Sequence, residues 1–316
     1  MSDDARTGSL GGGGRPITIL AAVLVLALAL GALLWPGVGP TRGRGVLLVF
    51  DSSGDQVRIT NVYEPFLHFL NEFTDQPLDL AVVGTVGSFR EKLIDGADFV
   101  FCPDGLGLTL EAGQYVPVAV GRRAAPRNLR PRGVLVFRKS AGLIKAPWLS
   151  RPEVTVCGDS VSLTATGAWR RKDVDAASES GTSNGCSWGP DPYDHAPALH
   201  AARLGGFDYA LVRQWDADRF FSDGLLSPLE WGIELVTVPV PDIVIFASRS
   251  VAGKTRLAVG DGLVALGRGP EEQPPAAREV RRAIGGLNLA GFNLLVDPDF
   301  EFVRRNFAGN WPPTGD

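Results

Sequence analysis

The sequence is poor in the residue types on which most hydrolytic and metal-dependent enzymes rely. Only three histidines and three cysteines occur among 316 residues, and nothing in their spacing requires a metal site. The motifs G-x-S-x-G, H-E-x-x-H and paired C-x-x-C are all missing. No nucleophile, base and orienting group stand at motif spacing. The sequence therefore predicts a protein without catalysis and without a cofactor.

An excess of positive charge is also lacking. Lysine and arginine number 31 against 35 aspartates and glutamates, which gives a net charge of −4. Nucleic-acid binding needs a concentrated basic face, so this charge argues against a nucleic-acid partner. One group of arginines stands among prolines and is interpreted as a solvated linker: Arg122, Arg123, Arg127, Arg130 and Arg132.

One long apolar run is present near the N-terminus. The stretch from Ile17 to Trp35 carries no charge and has about the ~20 residues that a membrane-spanning helix needs. A cleaved signal would have a shorter run, ~7–15 residues, and a small-residue cleavage site. No cysteine follows for a lipid anchor. We expect residues 16–36 to be an uncleaved anchor, 1–15 a cytoplasmic tail and 37–44 a linker.

The remaining chain alternates strand and helix patterns. The run "GVLLVF" (45–50) is typical of a strand buried on both faces, and "YEPFLHFLNEF" (63–73) has apolar residues at helical spacing. Further strands and a short helix complete a βαβαβ order, which favours a mostly parallel sheet. The pattern resumes after the arginine/proline stretch. A chain with 45% hydrophobic residues can bury a core of one large or two medium domains, and the repeated pattern predicts two α/β lobes.

The order of several landmarks resembles the phosphonate- and phosphite-binding periplasmic proteins of ABC importers. The landmarks are "YEPFLHFLNEF", "GSFREKLIDGADFVFC", "GDSVSLTATG", "HAPALHAARLGGFD" and "PVPDIVIFASR". The resemblance implies a type II periplasmic binding protein fold, in which two lobes joined by a hinge close over an oxyanion. Lobe one would comprise 45–130 and 237–316, and lobe two 131–236.

Three residues of lobe two are candidate ligand contacts. Thr164 and Thr166 precede a glycine and an apparent helix, where hydroxyl and backbone N–H groups attract anions. An ordinary helix cap is the alternative for both. The resemblance implies that His195, at a helix start, contacts the ligand. In the alternative, Asp194 caps that helix and His195 is merely adjacent.

Three residues of lobe one complete the candidate set, and two of them depart from the family pattern. Thr85 and Cys102 stand where the family commonly has aromatic residues. Cys102 ends a predicted strand, so its thiol is expected at the inter-lobe cleft, with an inert buried cysteine as the alternative. Asp242, at the hinge, is a weaker candidate.

A disulfide between Cys157 and Cys186 is predicted on the lobes and the oxidising compartment that the resemblance implies, from the three pairings that Cys102, Cys157 and Cys186 allow. Cys157 precedes the apparent helix of lobe two and Cys186 lies within the polar Gly/Ser-rich insertion that follows it, and tying down such a loop is favourable in an oxidising compartment. Cys102 is assigned to the other lobe.

These observations predict a solute-binding protein anchored in a bacterial inner membrane with its main domain in the periplasm. Its ligand would be a small phosphonate- or phosphate-like oxyanion, and its partner an ABC permease or a sensor kinase. The alternative is a degenerate binding fold that serves as an interaction or scaffold subunit of a membrane complex.

Overall fold

A computed structural model describes residues 43–111, 113–123, 132–141, 156–157, 193–235, 241–268 and 275–295. Its strands are β1 Gly45–Phe50, β2 Leu78–Val83, β3 Phe99–Pro103, β4 Tyr115–Arg123, β5 Gly133–Arg138, β6 Val156–Cys157, β7 Tyr209–Arg213, β8 Trp231–Leu235, β9 Ile243–Ser248 and β10 Leu289–Leu294. Its helices are α1 Gln56–Arg58, α2 Glu64–Asn71, α3 Val86–Asp95, α4 Asp104–Gly107, α5 Ala196–Arg203, α6 Gln214–Ser222, α7 Gly253–Ala265 and α8 Pro275–Ile284. A π-helical turn, Ile59–Tyr63, joins α1 to α2.

The larger sheet has six strands in the order β10-β4-β9-β3-β1-β2. β1 runs parallel to β2 and to β3, as the βαβαβ pattern predicts. β9 is antiparallel to both β3 and β4, and β10 is antiparallel to β4. The expectation of a mostly parallel sheet is therefore wrong beyond the first three strands. Ile243, which begins β9, pairs with Pro103 at the end of β3, so the two strands run in opposite directions.

Side chains on the two faces of this sheet form two cores. In β1, Leu47 and Val49 contribute to one core, whereas Leu48 and Phe50 contribute to the other. This alternation follows from the two-residue period of a strand and explains the uninterrupted apolar run of β1. Helices α2, α7 and α8 cover the first face, and α3 covers the second face with Phe89.

The smaller sheet has four strands in the order β6-β7-β5-β8. β5 is antiparallel to both β7 and β8, and β6 is parallel to β7. Helices α5 and α6 pack on it through Leu199 and Phe220, which lie in a third core. The next strand along the chain after β8 is β9, which belongs to the larger sheet.

The two sheets draw their strands from different parts of the chain. Described strands of the larger sheet lie within 45–123 and 243–294, and those of the smaller sheet within 133–235. One residue departs from this division. Tyr193, from the range predicted for lobe two, packs in the core of the larger sheet beside Phe101, with ring centroids 5.9 Å apart.

The predicted membrane anchor, 16–36, lies outside the described residues, as do the tail and most of the linker around it. In the part of the chain that the structure describes, no helix combines the length and the apolar character needed to cross a membrane.

Candidate functional site

Asp242 forms the centre of a buried ionic cluster between the two sheets. Its Oδ2 accepts a hydrogen bond from Nε of Arg123 at 2.5 Å, and its Oδ1 accepts one from Nε of Arg213 at 2.6 Å. Arg123 ends β4 of the larger sheet, and Arg213 ends β7 of the smaller sheet. All three side chains are at least nine-tenths buried. We call these three residues the arginine–aspartate cluster.

Backbone contacts fix the position of the arginine–aspartate cluster. Nη1 of Arg123 donates to the carbonyls of Tyr193 and Leu287, at 2.8 Å in both cases. The main-chain N–H of Asp104, which follows β3, donates to the carbonyl of Asp242 at 2.9 Å. Nη2 of Arg123 is buried and has no hydrogen-bond partner among the described residues. One guanidinium donor of the cluster, Nη2 of Arg123, is therefore available to bind another acceptor.

Electrostatics keep the Asp242 carboxyl ionised. Burial by itself would raise its pKa, but the guanidinium groups of Arg123 and Arg213 outweigh burial and lower the pKa below the ordinary 3.8. The two hydrogen bonds from the arginines to this carboxylate are charge-assisted, which makes them short and strong.

His195 occupies the N-cap position of helix α5, but its side chain makes no capping hydrogen bond and contacts Arg213 of this cluster. The ring is 1% exposed, and its Nδ1 accepts the main-chain N–H of Arg213 at 3.0 Å. Asp194 fills the capping role, because its Oδ1 accepts the N–H of Ala196 at 3.0 Å. The structure thus agrees with the cap predicted for Asp194 and places His195 against Arg213. Ligand contact by His195 stays a prediction.

The carboxyl ends of β1 and β2 lie beside each other near the arginine–aspartate cluster. The hydroxyl of Tyr193 donates to the carbonyl of Phe50, the last residue of β1. Asp51 follows, is 2% exposed, and accepts hydrogen bonds from the Tyr63 hydroxyl at 2.7 Å and from the N–H of Ser53 at 2.9 Å. The loop after β1 is therefore held rigidly by a buried carboxylate.

Thr85 follows β2 and caps helix α3. Its Oγ1 accepts the N–H of Ser88 at 3.1 Å, and its side chain is exposed. The capping hydroxyl places the first turn of α3, with its unpaired N–H groups, at the carboxyl edge of the parallel strands. Thr85 is thus accessible at the edge where ligands bind in α/β sheets.

The expected placement of Cys102 is wrong. Its thiol is fully buried in the core between the larger sheet and α3, among side chains such as Leu48, Phe89 and Val100. Burial raises the pKa of this thiol well above its usual value, and the Asp104 carboxylate raises it further. Cys102 is buried, as the alternative predicts, because this face of β3 is covered by α3, and its lack of reactivity stays a prediction.

The remaining predicted site residues and the predicted disulfide lie outside the described side chains. Thr164, Thr166 and Cys186 lie outside the described residues, and Cys157 is described only as the backbone of β6. The Cys157–Cys186 disulfide stays a prediction. Within the described ranges, no group of three or more His, Cys, Asp or Glu side chains is placed to hold a metal ion.

Arg123 and Arg213 were not among the residues predicted for the site. The interpretation of Arg123 as part of a solvated linker is wrong, since β4 extends through Arg123 and buries it. A signal was present in each case. Arg213 ends the apolar strand pattern "YALVR", and Arg123 ends "YVPVAVGRR". A charged side chain at the end of a buried strand requires a partner.

No protein-family model and no curated protein matches the sequence. Solved structures do match. XAC2383 from Xanthomonas citri bound to ATP is 14% identical, with 84% of this chain and 96% of that chain covered and a TM-score of 0.56. PhnD1 from Prochlorococcus marinus in complex with methylphosphonate is 12% identical, with coverage of 83% and 96% and a TM-score of 0.54.

A binding protein component of an ABC phosphonate transporter from Pseudomonas aeruginosa is also similar. It is 11% identical, with coverage of 83% of this chain and 85% of that chain and a TM-score of 0.52. The chain therefore has the two-lobed α/β fold of periplasmic binding proteins. Its structural neighbours include the phosphonate-transporter binding proteins, as the sequence landmarks predict.

Proposed function

We propose that this protein binds a phosphonate- or phosphate-like oxyanion outside the cytoplasm, held to the membrane by residues 16–36, for an ABC transporter or a sensor. One observation supports the proposal above all. A buried guanidinium, that of Arg123, lies between the two sheets with its Nη2 unpaired among the described residues. A buried donor without a partner is unfavourable, and an oxyanion would supply the acceptor.

The chemistry of the arginine–aspartate cluster suits a phosphorus oxyanion. Guanidinium groups match the geometry of phosphate oxygens better than any other side chain. Small-molecule sites also favour the space between lobes and the carboxyl ends of strands. Similar solved structures hold methylphosphonate and ATP, which both carry phosphorus oxyanions.

Other groups would complete the proposed site. Thr85 presents the first turn of α3 at the edge of the larger sheet, where unpaired N–H groups favour an anion. Thr164, Thr166 and His195 are proposed to contribute from lobe two. We propose no catalytic step, and the similar solved structures are described as binding proteins or as ligand complexes.

The scaffold alternative rests on a specific observation. The Asp242 carboxylate already binds both Nε atoms of the arginines, and Tyr193 connects lobe two to the end of β1. These bonds join the lobes without a ligand. A degenerate fold with a fixed junction would serve as an interaction subunit of a membrane complex.

Ligand-dependent stabilisation distinguishes the two functions. The full chain in detergent is heated with methylphosphonate or inorganic phosphate, and the ligand is expected to raise the melting temperature. A concentration of about 100 times Kd adds about 2.7 kcal/mol to the free energy of unfolding. Arg123→Gln should abolish the rise in melting temperature. Arg138→Gln should retain it, because Arg138 lies over the Trp231 ring and is not part of the arginine–aspartate cluster. A folded wild-type protein that no oxyanion stabilises would favour the scaffold.

A further inference from the structure

We infer that Tyr193 and the two residues after it hold the two lobes in one fixed arrangement that does not depend on a ligand. We call residues 193–195 the inter-lobe link. One end of the link is attached to the larger sheet and the other end to the smaller sheet. The attachments are made by the protein's own groups, so they form with or without a ligand.

Tyr193 attaches the link to the larger sheet. Its side chain is 1% exposed and belongs to the core that helices α2, α7 and α8 cover. The ring lies beside Phe101 of β3, with the centroids 5.9 Å apart, and the hydroxyl donates to the carbonyl of Phe50 at the end of β1. Withdrawing a buried aromatic ring exposes a large apolar surface and leaves a cavity. Tyr193 is therefore a firm attachment point.

The other end of the link is attached to the smaller sheet. Nδ1 of His195 accepts the main-chain N–H of Arg213, the last residue of β7, at 3.0 Å. Helix α5 begins directly after His195 and packs on this sheet through Leu199. Only Asp194 separates Tyr193 from His195. Since consecutive Cα atoms are about 3.8 Å apart, the two attachments are too close along the chain for the lobes to separate here.

The link lies away from the connections about which the lobes would rotate. The chain passes from the larger to the smaller sheet after β4 and returns before β9, and these two strands are neighbours. Phe50, which Tyr193 contacts, ends β1, and β1 is two strands from β9. With neighbouring strands about 4.8 Å apart, this contact lies about 10 Å from β9. A third attachment at that distance opposes rotation about the other two, because rotation would pull Tyr193 out of its core.

The link also positions the arginine–aspartate cluster. The carbonyl of Tyr193 accepts a hydrogen bond from Nη1 of Arg123 at 2.8 Å, so the guanidinium keeps its orientation while the link is intact. An oxyanion that binds Nη2 of Arg123 would then meet a donor that is already oriented, and closure of the lobes need not accompany binding. This consequence rests on the proposed function, whereas the fixed arrangement of the lobes does not.

The distance between the lobes in the full chain tests the inference. Spin labels are attached through Glu91→Cys in α3 and Arg219→Cys in α6, one in each lobe, because both native side chains are exposed. The background is Cys157→Ser, Cys186→Ser, with the protein in detergent, and mass spectrometry establishes that Cys102 carries no label. Double electron–electron resonance without any ligand is expected to give one narrow distance distribution.

A longer link tests the coupling without removing the tyrosine ring. Two glycines inserted after Tyr193 leave both attachments in place but add up to about 7 Å of chain, so the distance distribution should widen. The same insertion after Gly205, in the exposed turn that follows α5, does not lie between the sheets and should leave the distribution unchanged. Circular dichroism establishes that each variant is folded.

A pair of tyrosine substitutions tests the attachment itself. Tyr193→Ala removes the attachment to the larger sheet and should also widen the distribution. Tyr209→Ala removes another buried tyrosine, one that belongs to β7 within the smaller sheet, and should leave the distribution narrow.

The outcomes separate this inference from the proposed function. A broad or multiple distance distribution in the labelled protein without further substitutions would overturn the inference. A folded insertion variant or a folded Tyr193→Ala variant with an unchanged distribution would also overturn it. If one of these two variants does not fold, the other decides, and if neither folds, the distribution of the protein without them decides. Failure of every oxyanion to raise the melting temperature would overturn the proposed function and leave the fixed arrangement of the lobes intact.

Discussion

At the scale of single residues, Asp242 should make stability depend on acid pH. Its folded-state pKa is lowered below 3.8, so its contribution to the free energy of unfolding is fully present above that value. The contribution is lost as pH falls through the lower, folded-state pKa. Asp242→Asn should lower the free energy of unfolding by about 3–5 kcal/mol at neutral pH, since it leaves two buried arginines without a counter-ion. Urea denaturation between neutral and acid pH measures both effects.

The control for this experiment is Asp208→Asn. Asp208 forms an exposed ion pair with Arg138 at 3.2 Å, and exposed pairs contribute only about 0–1 kcal/mol. A wild-type protein and Asp242→Asn variant that differ by a constant amount down to the most acid pH would contradict the lowered pKa of Asp242.

Cys102 should be unreactive in the folded protein. Burial and the neighbouring Asp104 carboxylate raise the pKa of its thiol, so little of the reactive thiolate forms, and the side chain is 0% exposed. In a Cys157→Ser, Cys186→Ser background, an alkylating reagent should label Cys102 only after denaturation. Mass spectrometry of the labelled peptide measures this. Rapid labelling without denaturant, equal to that of a small thiol, would place Cys102 outside the core.

At the scale of elements, the pairing of β10 with β4 depends on Gly291. The register shifts between Leu289 and Gly291, and Gly291 has φ +145°, which side chains rarely adopt. A Cβ there would also lie 2.6 Å from Cα of Gly267. Gly291→Ala should therefore lower the free energy of unfolding by about 1–3 kcal/mol in urea denaturation.

Gly285→Ala is the matched control for Gly291→Ala. A Cβ at Gly285 meets nothing within 4 Å, and its φ lies outside the positive range. This variant should unfold at nearly the wild-type urea concentration. Equal destabilisation by the two substitutions would show that the bulge in β10 does not require glycine.

At the scale of the whole molecule, the N-terminal apolar run should determine location independently of folding. The larger sheet begins at Gly45, and the described residues from Arg44 onward belong to one compact unit. A chain that starts at residue 44 should therefore fold and remain in solution, whereas the full chain should stay with membranes after carbonate extraction. Fractionation and circular dichroism test this. A mature protein whose intact mass begins after Val38 would refute a retained anchor.

Local pattern was sufficient for much of the fold. The apolar run of β1 predicts a strand buried on two faces, and the apolar spacing of 63–73 predicts α2, because burial imposes a two-residue or a helical period on neighbouring positions. The ordered landmarks then predict a two-lobed binding-protein fold. The strand and helix predictions need only residues that are close together in the chain.

The candidate site depended on tertiary structure. Arg123 and Arg213 are 119 and 29 residues from Asp242, so no local period in the sequence links them. The direction of β9 likewise depends on how the chain re-enters the larger sheet. The side of β3 on which Cys102 lies was equally undetermined, because both faces of that strand are buried and carry apolar residues. The sequence by itself determined where the first strands and helices lie, and its resemblance to a known family implied the two lobes. Only the tertiary structure decided which charges meet, because distant parts of the chain must pack together before a buried arginine finds its carboxylate.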